Sequence, residues 1–422
     1  MSDGGSPEDR RGGTEARERV RRLESSKVRE VANAGFGKPG LLRFWFGESD
    51  QPTPAYIREA AARALADGRT FYTHNLGAVE LRQALDLYLA RLHGRPIGVD
   101  RLAVTSSGVS ALMIAMQAVV DPGDRVVVVT PVWPNLTEIP KILGAEVVRV
   151  GLANGQGRWR LDLDRLLEAI TPETRLVVIN SPGNPTGWTM TAEDQKAVLA
   201  HCRRLGVWLL ADDVYERLAY DQARASAPSF LELAEPGDRL ISANSFSKAW
   251  LMTGWRLGWI VAPPALAPGL GTLLEYNTSC APDFVQVGGL AALTEGEPHV
   301  ERLRAELRRK RDRLVDRLAE APGVEASPPD GGMYVFFRLH GQDDSMTLAR
   351  RLIDEAGLGL APGVAFGPEG EGWLRWCFAN ADSALDEGLD RLARWLGRGD
   401  SQLRAVPAQP DLGHGARRSR RP

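Results

Sequence analysis

Short apolar runs rich in valine, leucine and isoleucine alternate with longer helical patterns through the middle of the chain. Continuously apolar strands joined by helix-length connections are typical of a mostly parallel sheet covered by helices on both faces. We therefore predict an α/β fold whose large domain holds a seven-stranded sheet. In such sheets ligands bind beyond the carboxyl ends of the strands. The predicted strands are residues 102–105, 126–130, 146–150, 176–180, 207–211, 240–243 and 257–261.

The pattern changes after about residue 297. A long charged amphipathic stretch predicts a helix over residues 299–319, and a second helix is predicted near residues 348–355. Apolar, β-branched and aromatic runs predict strands over residues 333–338 and 373–378. Together these elements indicate a smaller α+β domain that packs on the sheet domain.

The same patterning divides the chain into five parts. Residues 1–30 and 398–422 are charged or rich in glycine and proline, which predicts flexible tails. Residues 31–60 are assigned to the N-terminal part of the small domain, residues 61–295 to the large cofactor-binding domain, and residues 296–397 to the C-terminal part of the small domain.

Composition narrows the functional classes. The 422 residues are 43% hydrophobic and 25% charged with a formal net charge of −2, so nothing favours nucleic acid or membrane partners over small molecules. Cys202, Cys280 and Cys377 lack the spacing of a zinc site or a disulfide framework, and we interpret them as reduced core thiols. No apolar run has the length of a signal peptide or membrane span, which predicts a cytoplasmic enzyme.

One lysine stands in a chemically distinctive setting. Ser245, Ser247 and Lys248 form a Ser-Phe-Ser-Lys run, and Arg256 follows eight residues later beside glycines. A lysine in this setting can form a Schiff base with an aldehyde, while the hydroxyls and the guanidinium hold that aldehyde's phosphate. The aldehyde would be pyridoxal 5'-phosphate. The same lysine, once released, would move a proton between substrate and cofactor.

Two other strand ends carry suitable groups. Ser107, Gly108 and Val109 follow the predicted strand 102–105 and open a helix, where free N–H groups and the helix dipole favour a phosphate. Taken alone, this turn is better explained by an ordinary helix cap, and only the lysine segment downstream favours the phosphate. Trp133 follows the next strand, where its indole would either stack on a flat ring or pack into the core.

Further polar residues fit the ring and the substrate. Asn184 lies in a Pro/Gly turn and would donate to a ring hydroxyl oxygen, unless the turn is a plain loop. Asp212 ends a buried strand and would pair with a protonated pyridine nitrogen, with Tyr215 reaching the phenolic oxygen, whereas helix capping explains Asp213 better. Arg375 lies within an apolar strand and needs an anionic partner, either a substrate α-carboxylate or a structural ion pair.

Taken together, these segments resemble the class I/II, aspartate aminotransferase-like family of fold-type I pyridoxal-phosphate enzymes over roughly residues 43–396. The resemblance implies the roles given above for Lys248 and the other residues. It also implies that Tyr72 reaches the phosphate of a neighbouring subunit, and hence a homodimer. Gly47 corresponds to the family's backbone contact near the substrate carboxylate, where Asn184 also lies.

The chain departs from the family pattern at three points. The usual Gly-Glu-Pro-Asp run is Gly-Glu-Ser-Asp at residues 47–50, and residues 44–46 are all aromatic. We find no second arginine that would recognise the side chain of a dicarboxylate. Aspartate specificity is therefore not supported by the sequence.

Transamination between an amino acid and a 2-oxo acid is the leading functional hypothesis. The same fold and cofactor also serve elimination or replacement, carbon–carbon bond formation and oxidation, and these stay open as alternatives. A ligand-sensing domain of a transcription regulator is the non-enzyme alternative. It is disfavoured because the first forty or so residues show no helix-turn-helix pattern.

Overall fold

The structure is a computed structural model that describes residue 16, residues 18–155 and residues 157–403. All seven predicted strands of the large sheet form, each within two residues of its predicted ends. Within the described residues, the strands are β1 (Leu42–Arg43), β2 (Leu102–Thr105), β3 (Arg125–Thr130), β4 (Glu146–Gly151), β5 (Ala153–Gly155), β6 (Arg158–Arg160), β7 (Thr174–Asn180), β8 (Trp208–Asp212), β9 (Leu240–Ser245), β10 (Gly258–Val261), β11 (Val324–Ser327), β12 (Tyr334–Leu339), β13 (Leu358–Gly359), β14 (Ala361–Pro362) and β15 (Trp373–Cys377).

The α-helices of the described segments cover the sheets and connect their strands. They are α1 (Glu18–Arg21), α2 (Lys27–Gly35), α3 (Ala55–Ala66), α4 (Val79–His93), α5 (Gly108–Val119), α6 (Asn135–Leu143), α7 (Leu163–Ala169), α8 (Ala192–Leu205), α9 (Ala267–Asn277), α10 (Asp283–Glu295), α11 (Glu297–Ala319), α12 (Ser345–Arg351) and α13 (Asp382–Leu403).

The large sheet has the strand order β2-β10-β9-β8-β7-β3-β4. Strand β10 runs antiparallel to both neighbours, and the other neighbouring pairs are parallel. Strands β7 and β8 are almost entirely buried, as expected for central strands covered on both faces. The predicted α/β class with a mostly parallel seven-stranded sheet is confirmed.

Parallel pairing brings the ends of consecutive strands to one edge of the sheet. Asn180 at the end of β7 is the register partner of Asp212 at the end of β8. Ser245 ends β9, which runs parallel to β8. The turn after β2 leads into α5 at the same edge, where Ser107 caps the helix. Polar groups from four connections therefore meet there.

A second, four-stranded sheet has the order β11-β12-β15-β14 and is antiparallel in every described pair. It follows the long helix α11, as the change of sequence pattern predicts. The short strand β1 pairs in parallel with β13, so a segment from early in the chain lies beside this later part. The division into two domains remains a prediction.

The predicted N-terminal tail ends earlier than residue 30. Helix α2 begins at Lys27, and Ser26 caps it by accepting a hydrogen bond from the Arg29 N–H at 3.3 Å. Its apolar face is buried through Val28 and Val31, which explains why this part of the chain is structured. Helix α13 continues to residue 403, beyond the predicted boundary at 397. The other tail residues, 1–15, 17 and 404–422, lie outside the described residues.

None of the helices in the described ranges combines the length and apolar character that a membrane crossing needs.

Candidate active site

A cavity of about 1110 Å³ opens at the carboxyl edge of the large sheet and is also lined by residues of the four-stranded sheet. Nearly all of the site residues proposed from the sequence line it. They are Gly47, Gly108, Val109, Trp133, Asn184, Asp212, Tyr215, Ser245, Ser247, Lys248, Arg256 and Arg375. Ser107 and Tyr72 are not among the residues that line it. The cavity therefore collects predicted residues that span more than 300 positions of the chain.

Lys248 follows β9 and projects its amine into the cavity, where Nζ donates to the carbonyl oxygen of Gly47. Surrounding protein atoms desolvate the ammonium and lower the pKa of Lys248 from 10.5 to about 8, and the Arg375 and Arg256 cations act in the same direction. Near neutral pH a larger fraction of this amine than of an ordinary lysine is therefore unprotonated. An unprotonated amine is the form that attacks an aldehyde.

The N-terminus of α5 forms one end of the cavity. The Ser107 hydroxyl accepts a hydrogen bond from the Ser110 N–H at 2.9 Å, so Ser107 caps the helix. The helix cap was one of the two interpretations given for this turn from the sequence. Gly108 and Val109 follow, and N–H groups of a first helical turn have no partner inside the helix. Gly108 also lies close to Ser245. A Cβ added at Gly108 would therefore come within 2.9 Å of the Ser245 Cβ. Free backbone donors and serine hydroxyls thus face one small volume.

Arg256 completes this end of the cavity in an unusual backbone conformation. Its φ of 55° places it in the left-handed region, which costs free energy in residues other than glycine. The guanidinium donates to the Thr253 carbonyl at 2.6 Å and keeps its other donors available. Strained residues of this kind concentrate at functional sites. Arg256 lines the same cavity as the serines and the helix N-terminus.

Asp212 lies deep in the cavity at the end of β8. Burial raises the pKa of its carboxyl from 3.8 to about 7, while the Val214 N–H at 3.4 Å and the Lys248 cation act in the opposite direction. A buried carboxyl with a weak hydrogen bond is stabilised as an anion when a cation reaches it. A protonated pyridine nitrogen supplies such a cation.

The helix-capping role expected for Asp213 is wrong. Its carboxylate accepts a hydrogen bond from the Ser242 hydroxyl at 2.6 Å, inside the sheet. The short helical turn that follows begins at Glu216 and has no side-chain cap. Burial and the nearby Glu216 raise the pKa of Asp213. Asp212 and Asp213 thus point to different surroundings, since residues of a strand alternate between its two faces.

Arg375 lies in β15 and is only 3% exposed. Its guanidinium donates to the Asn184 amide oxygen at 2.8 Å and to the carbonyl oxygen of Trp45, and its Nε has no partner among the described residues. No carboxylate in the described part of the chain pairs with it, so the structural ion pair is excluded there. A buried cation with an unused donor favours an anionic ligand.

Tyr215 meets a residue that sequence reasoning missed. Its hydroxyl lies 2.6 Å from the hydroxyl of Tyr334, and both side chains are fully buried. Tyr334 begins β12 and lines the cavity beneath Arg375, whose guanidinium carbon is 4.3 Å from the ring centroid. The only sequence signal was the predicted strand 333–338, which did not reveal the direction in which this side chain points.

The aromatic run at residues 44–46 contributes one side chain to the cavity. Phe44 and Trp45 are buried in the core, while Phe46 lines the cavity together with Trp133. The guanidinium carbon of Arg29, from α2, lies 5.8 Å from the Phe46 ring centroid and also lines the cavity. Sequence reasoning missed Arg29 because it falls in the predicted tail.

Tyr72 is 88% exposed and does not line the cavity of its own chain. Phe71 beside it and Tyr276 are also largely exposed. Exposure of large aromatic side chains to water is energetically unfavourable. Such exposed side chains are common at surfaces that bind another molecule.

The residues present fit pyridoxal phosphate. The phosphate would lie between the N-terminus of α5, the serines after β9 and Arg256. The pyridine nitrogen would face Asp212. In its protonated form this nitrogen would lower the pKa of Asp212, which burial raises. Lys248 offers an amine of lowered pKa for the aldehyde.

Known proteins resemble this chain over most of its length. The family model described as aminotransferase class I and II matches residues 41–392. The aspartate aminotransferase of Pyrococcus horikoshii is 33% identical over 382 residues, which are 90% of this chain and 96% of that relative. An arginine–pyruvate transaminase of Pseudomonas aeruginosa is 33% identical over 84% of this chain and 89% of its own.

A solved structure gives the same result at the level of the fold. The crystal structure of the aspartate aminotransferase from Rhizobium meliloti aligns with a TM-score of 0.84 at 31% identity, covering 92% of this chain and 100% of that chain. The chain belongs to the class I and II aminotransferase family. It is a pyridoxal-phosphate-dependent transferase of amino groups, with the fold-type I architecture.

Proposed function

We propose that the protein transfers the amino group of an α-amino acid to a 2-oxo acid at this cavity, with Lys248 as the residue that binds the cofactor. The observation that carries the proposal is the convergence of three groups on one cavity: an amine of lowered pKa at Lys248, a buried carboxyl at Asp212 and a buried cation at Arg375. When bound, the cofactor supplies an electron-withdrawing ring that stabilises a carbanion at Cα.

The protein's own groups position the reactants. Arg375 and Asn184 are joined by a hydrogen bond and together would orient the substrate carboxylate. This orientation would determine which bond of Cα lies perpendicular to the cofactor ring. Asp212 would keep the ring nitrogen protonated, Tyr215 and Asn184 would contact the ring oxygen, and Trp133 would stack on the ring. The Lys248 amine would take the proton from the substrate Cα and pass it to the cofactor.

An amino-acid panel distinguishes transamination from the other reactions that this cofactor serves. The holoprotein is mixed with single amino acids without a 2-oxo acid, and the spectrum of the bound cofactor is followed. Transamination converts the aldehyde form to the amine form, and added 2-oxo acid reverses the change. Release of ammonia or hydrogen peroxide with the aldehyde form retained would contradict the proposal.

We further propose that the substrate side chain carries a negative charge. Three of the cations that line the cavity are paired with carboxylates: Lys27 with Glu24, Lys141 with Glu138, and Arg149 with Glu369. The unpaired ones in the described part of the chain are Arg29, Lys248, Arg256 and Arg375.

The last three of these cations have partners in the mechanism above, namely the aldehyde, the phosphate and the α-carboxylate. Arg29 is left over at the outer part of the cavity, beside the Phe46 ring. A guanidinium binds a second carboxylate well because its paired N–H groups match both oxygens. Arg29 would thus supply the second arginine that sequence reasoning did not find.

Substitution of Arg29 tests this substrate class. For Arg29→Gln we expect KM for dicarboxylic substrates such as glutamate and 2-oxoglutarate to rise roughly 3- to 10-fold, as for an exposed charged contact. KM for alanine and pyruvate should stay unchanged. The matched control is Arg149→Gln, which removes a cavity cation that is already paired with Glu369. Equal losses for mono- and dicarboxylic substrates would exclude this role.

We propose a homodimer in which Tyr72 contributes to the neighbouring subunit's site. The exposure of Tyr72 outside its own cavity supports this, as does the exposure of Phe71 and Tyr276. Mixing Tyr72→Phe subunits with Lys248→Ala subunits is the test. If the sites are shared, one site of a mixed dimer keeps both native residues and the other loses both. Activity recovered on mixing therefore supports a shared site, and activity that is never recovered contradicts it.

We also propose a cytoplasmic location. Cys202, Cys280 and Cys377 are all free thiols, and the first and last are buried, as expected in a reducing compartment. Fractionation of cells that produce the protein, with a periplasmic marker enzyme as control, tests the location. Recovery with the periplasmic marker would contradict it.

A further inference from the structure

Two phenols, Tyr215 and Tyr334, connect the two sheets at the cavity. The hydroxyls of Tyr215 and Tyr334 lie 2.6 Å apart, and the rings meet edge to face with centroids 5.7 Å apart. Tyr215 follows β8 of the large sheet, and Tyr334 begins β12 of the four-stranded sheet. The side chains are 3% and 1% exposed, so water does not compete for this hydrogen bond.

The number of protons on two phenols limits what the pair can do. Each hydroxyl has one proton to donate and two lone pairs with which to accept. A single proton lies between the two oxygens, and either phenol can supply it. If Tyr215 donates to an acceptor in the cavity, the proton between the oxygens must come from Tyr334.

Both phenols stay protonated at neutral pH. Burial raises the pKa of Tyr334 to about 12 and that of Tyr215 well above its ordinary value. The charged or titratable groups around the pair are Arg375, Asp212, Lys248, Glu48 and Cys377. Two neutral donors in a poorly solvated site polarise one another when they form a chain, and the outer donor is strengthened.

The surroundings hold Tyr334 in place from two further sides. The guanidinium of Arg375 lies over its ring at 4.3 Å. On the other side is Gly47, where an added Cβ would fall 1.8 Å from the Tyr334 hydroxyl oxygen. No side chain larger than that of glycine fits there without displacing the phenol. The position of the hydroxyl is therefore determined by backbone, cation and partner phenol together.

We propose that Tyr334 is a positioning residue that acts through Tyr215. Tyr334 donates its proton to the Tyr215 oxygen, which leaves the Tyr215 proton directed at the ring oxygen of bound pyridoxal phosphate. This inference rests on the proposed function, in which Tyr215 contacts that ring oxygen. It adds a member to the site that the sequence motifs did not identify.

The proposal predicts a spectroscopic effect of known sign. A hydrogen bond donated to the ring oxygen favours the form of the lysine-bound cofactor that has lost its imine proton, because that form leaves more charge on the oxygen. Loss of the donor raises the pH at which the visible absorbance of the holoprotein changes. Tyr334→Phe should raise this midpoint by roughly half a pH unit to one, and Tyr215→Phe by more.

The double substitution makes the test specific. With Phe at position 215 there is no phenol for Tyr334 to act through, so Tyr215→Phe/Tyr334→Phe should titrate like Tyr215→Phe alone. An unchanged midpoint in Tyr334→Phe, or an equal additional shift in the double variant, would overturn the proposal. A wild-type protein without a visible band, or a Tyr215→Phe variant without a shift, would instead point to failure of the proposed function itself and remove the basis of this inference.

A matched control separates positioning from stability. Tyr220 is also buried, and its hydroxyl donates to the Gly332 carbonyl; neither residue lines the cavity. Tyr220→Phe removes one buried hydroxyl in the same way, and its midpoint should equal that of the wild type. A shift as large as that of Tyr334→Phe would mean that any buried hydroxyl in this region has the effect, and would overturn the proposal.

A second measurement does not depend on the titration. The dissociation constants of pyridoxal phosphate and of its 3-deoxy analogue, which lacks the ring oxygen, are measured for wild type and Tyr334→Phe. We expect Tyr334→Phe to weaken pyridoxal phosphate roughly 3- to 10-fold and to leave the analogue unchanged. Equal weakening of both ligands would overturn the proposal, because the effect would not pass through the ring oxygen.

Discussion

Arg375 donates a hydrogen bond of 2.8 Å to the amide oxygen of Asn184. The arginine belongs to β15 of the four-stranded sheet, and the asparagine follows β7 of the large sheet. A residue expected to bind the substrate carboxylate and a residue expected to contact the cofactor ring are thus held as one unit. Movement of one sheet against the other would change the orientation of substrate on cofactor.

Substitution of Arg375 should affect substrates through their carboxylate. For Arg375→Gln we expect kcat/KM for amino acids to fall roughly 30-fold or more, because removing one partner of a buried charged contact typically costs 2–5 kcal/mol. Amines that lack a carboxylate should lose far less. Steady-state kinetics with an amino acid and its decarboxylated analogue provide the measurement. Equal losses for the pair would indicate that Arg375 only supports the fold.

The buried carboxyl of Asp212 should matter for chemistry more than for binding. For Asp212→Asn we expect the cofactor to remain bound while proton removal from Cα slows at least about 100-fold, since a neutral ring nitrogen withdraws electrons poorly. Rapid-mixing spectroscopy of a single half-reaction gives the rate. Asp213→Asn is the matched control, because that carboxylate faces Ser242 instead of the cavity. Similar rates for the two variants would argue against the role of Asp212.

The lowered pKa of Lys248 predicts how cofactor capture depends on pH. Below its pKa the group is an ammonium ion without a lone pair, so it cannot attack the aldehyde. The capture rate of added pyridoxal phosphate by the cofactor-free protein should therefore rise with pH through about 8 and then level off. Stopped-flow absorbance follows this rate. A midpoint near the ordinary value of 10.5 would contradict the desolvated environment.

Gly47 is predicted to tolerate no side chain. In Gly47→Ala the new Cβ would fall 1.8 Å from the Tyr334 hydroxyl, and we expect a loss of about 1–3 kcal/mol of stability together with weaker cofactor binding. Gly237→Ala is the control, because no atom lies within 4 Å of a Cβ placed there. Denaturant unfolding of both variants measures the difference. Equal stability of the two would show that the site relaxes without cost.

Much of the fold followed from the sequence because apolar strands and helix-length connections repeat along the chain. Asp212, Lys248 and Asn184 could be placed at strand ends, where chain order alone brings them to one edge of the sheet. The antiparallel direction of β10 was not predicted, since an apolar run has the same pattern in either direction. Asp213 was misassigned because a carboxylate after a strand suits a cap and a buried hydrogen bond equally well.

Other residues needed the three-dimensional structure. Apart from Arg338, the other residues in the strand of Tyr334 are apolar or aromatic, so nothing in the pattern distinguished the one hydroxyl that meets Tyr215. Arg29 lies in a charged segment that resembled a tail until the apolar face of α2 was seen to pack. The role proposed for Tyr72 requires a second subunit, which the pattern of one chain cannot position.

The most direct test of the account is to locate the covalent bond. The holoprotein is reduced with borohydride, which fixes an imine as a stable amine, and is then digested and analysed by mass spectrometry. We expect a single phosphopyridoxyl group on the peptide that contains Lys248, and no such adduct in Lys248→Ala. An adduct on another lysine of the wild type, or none at all, would contradict it.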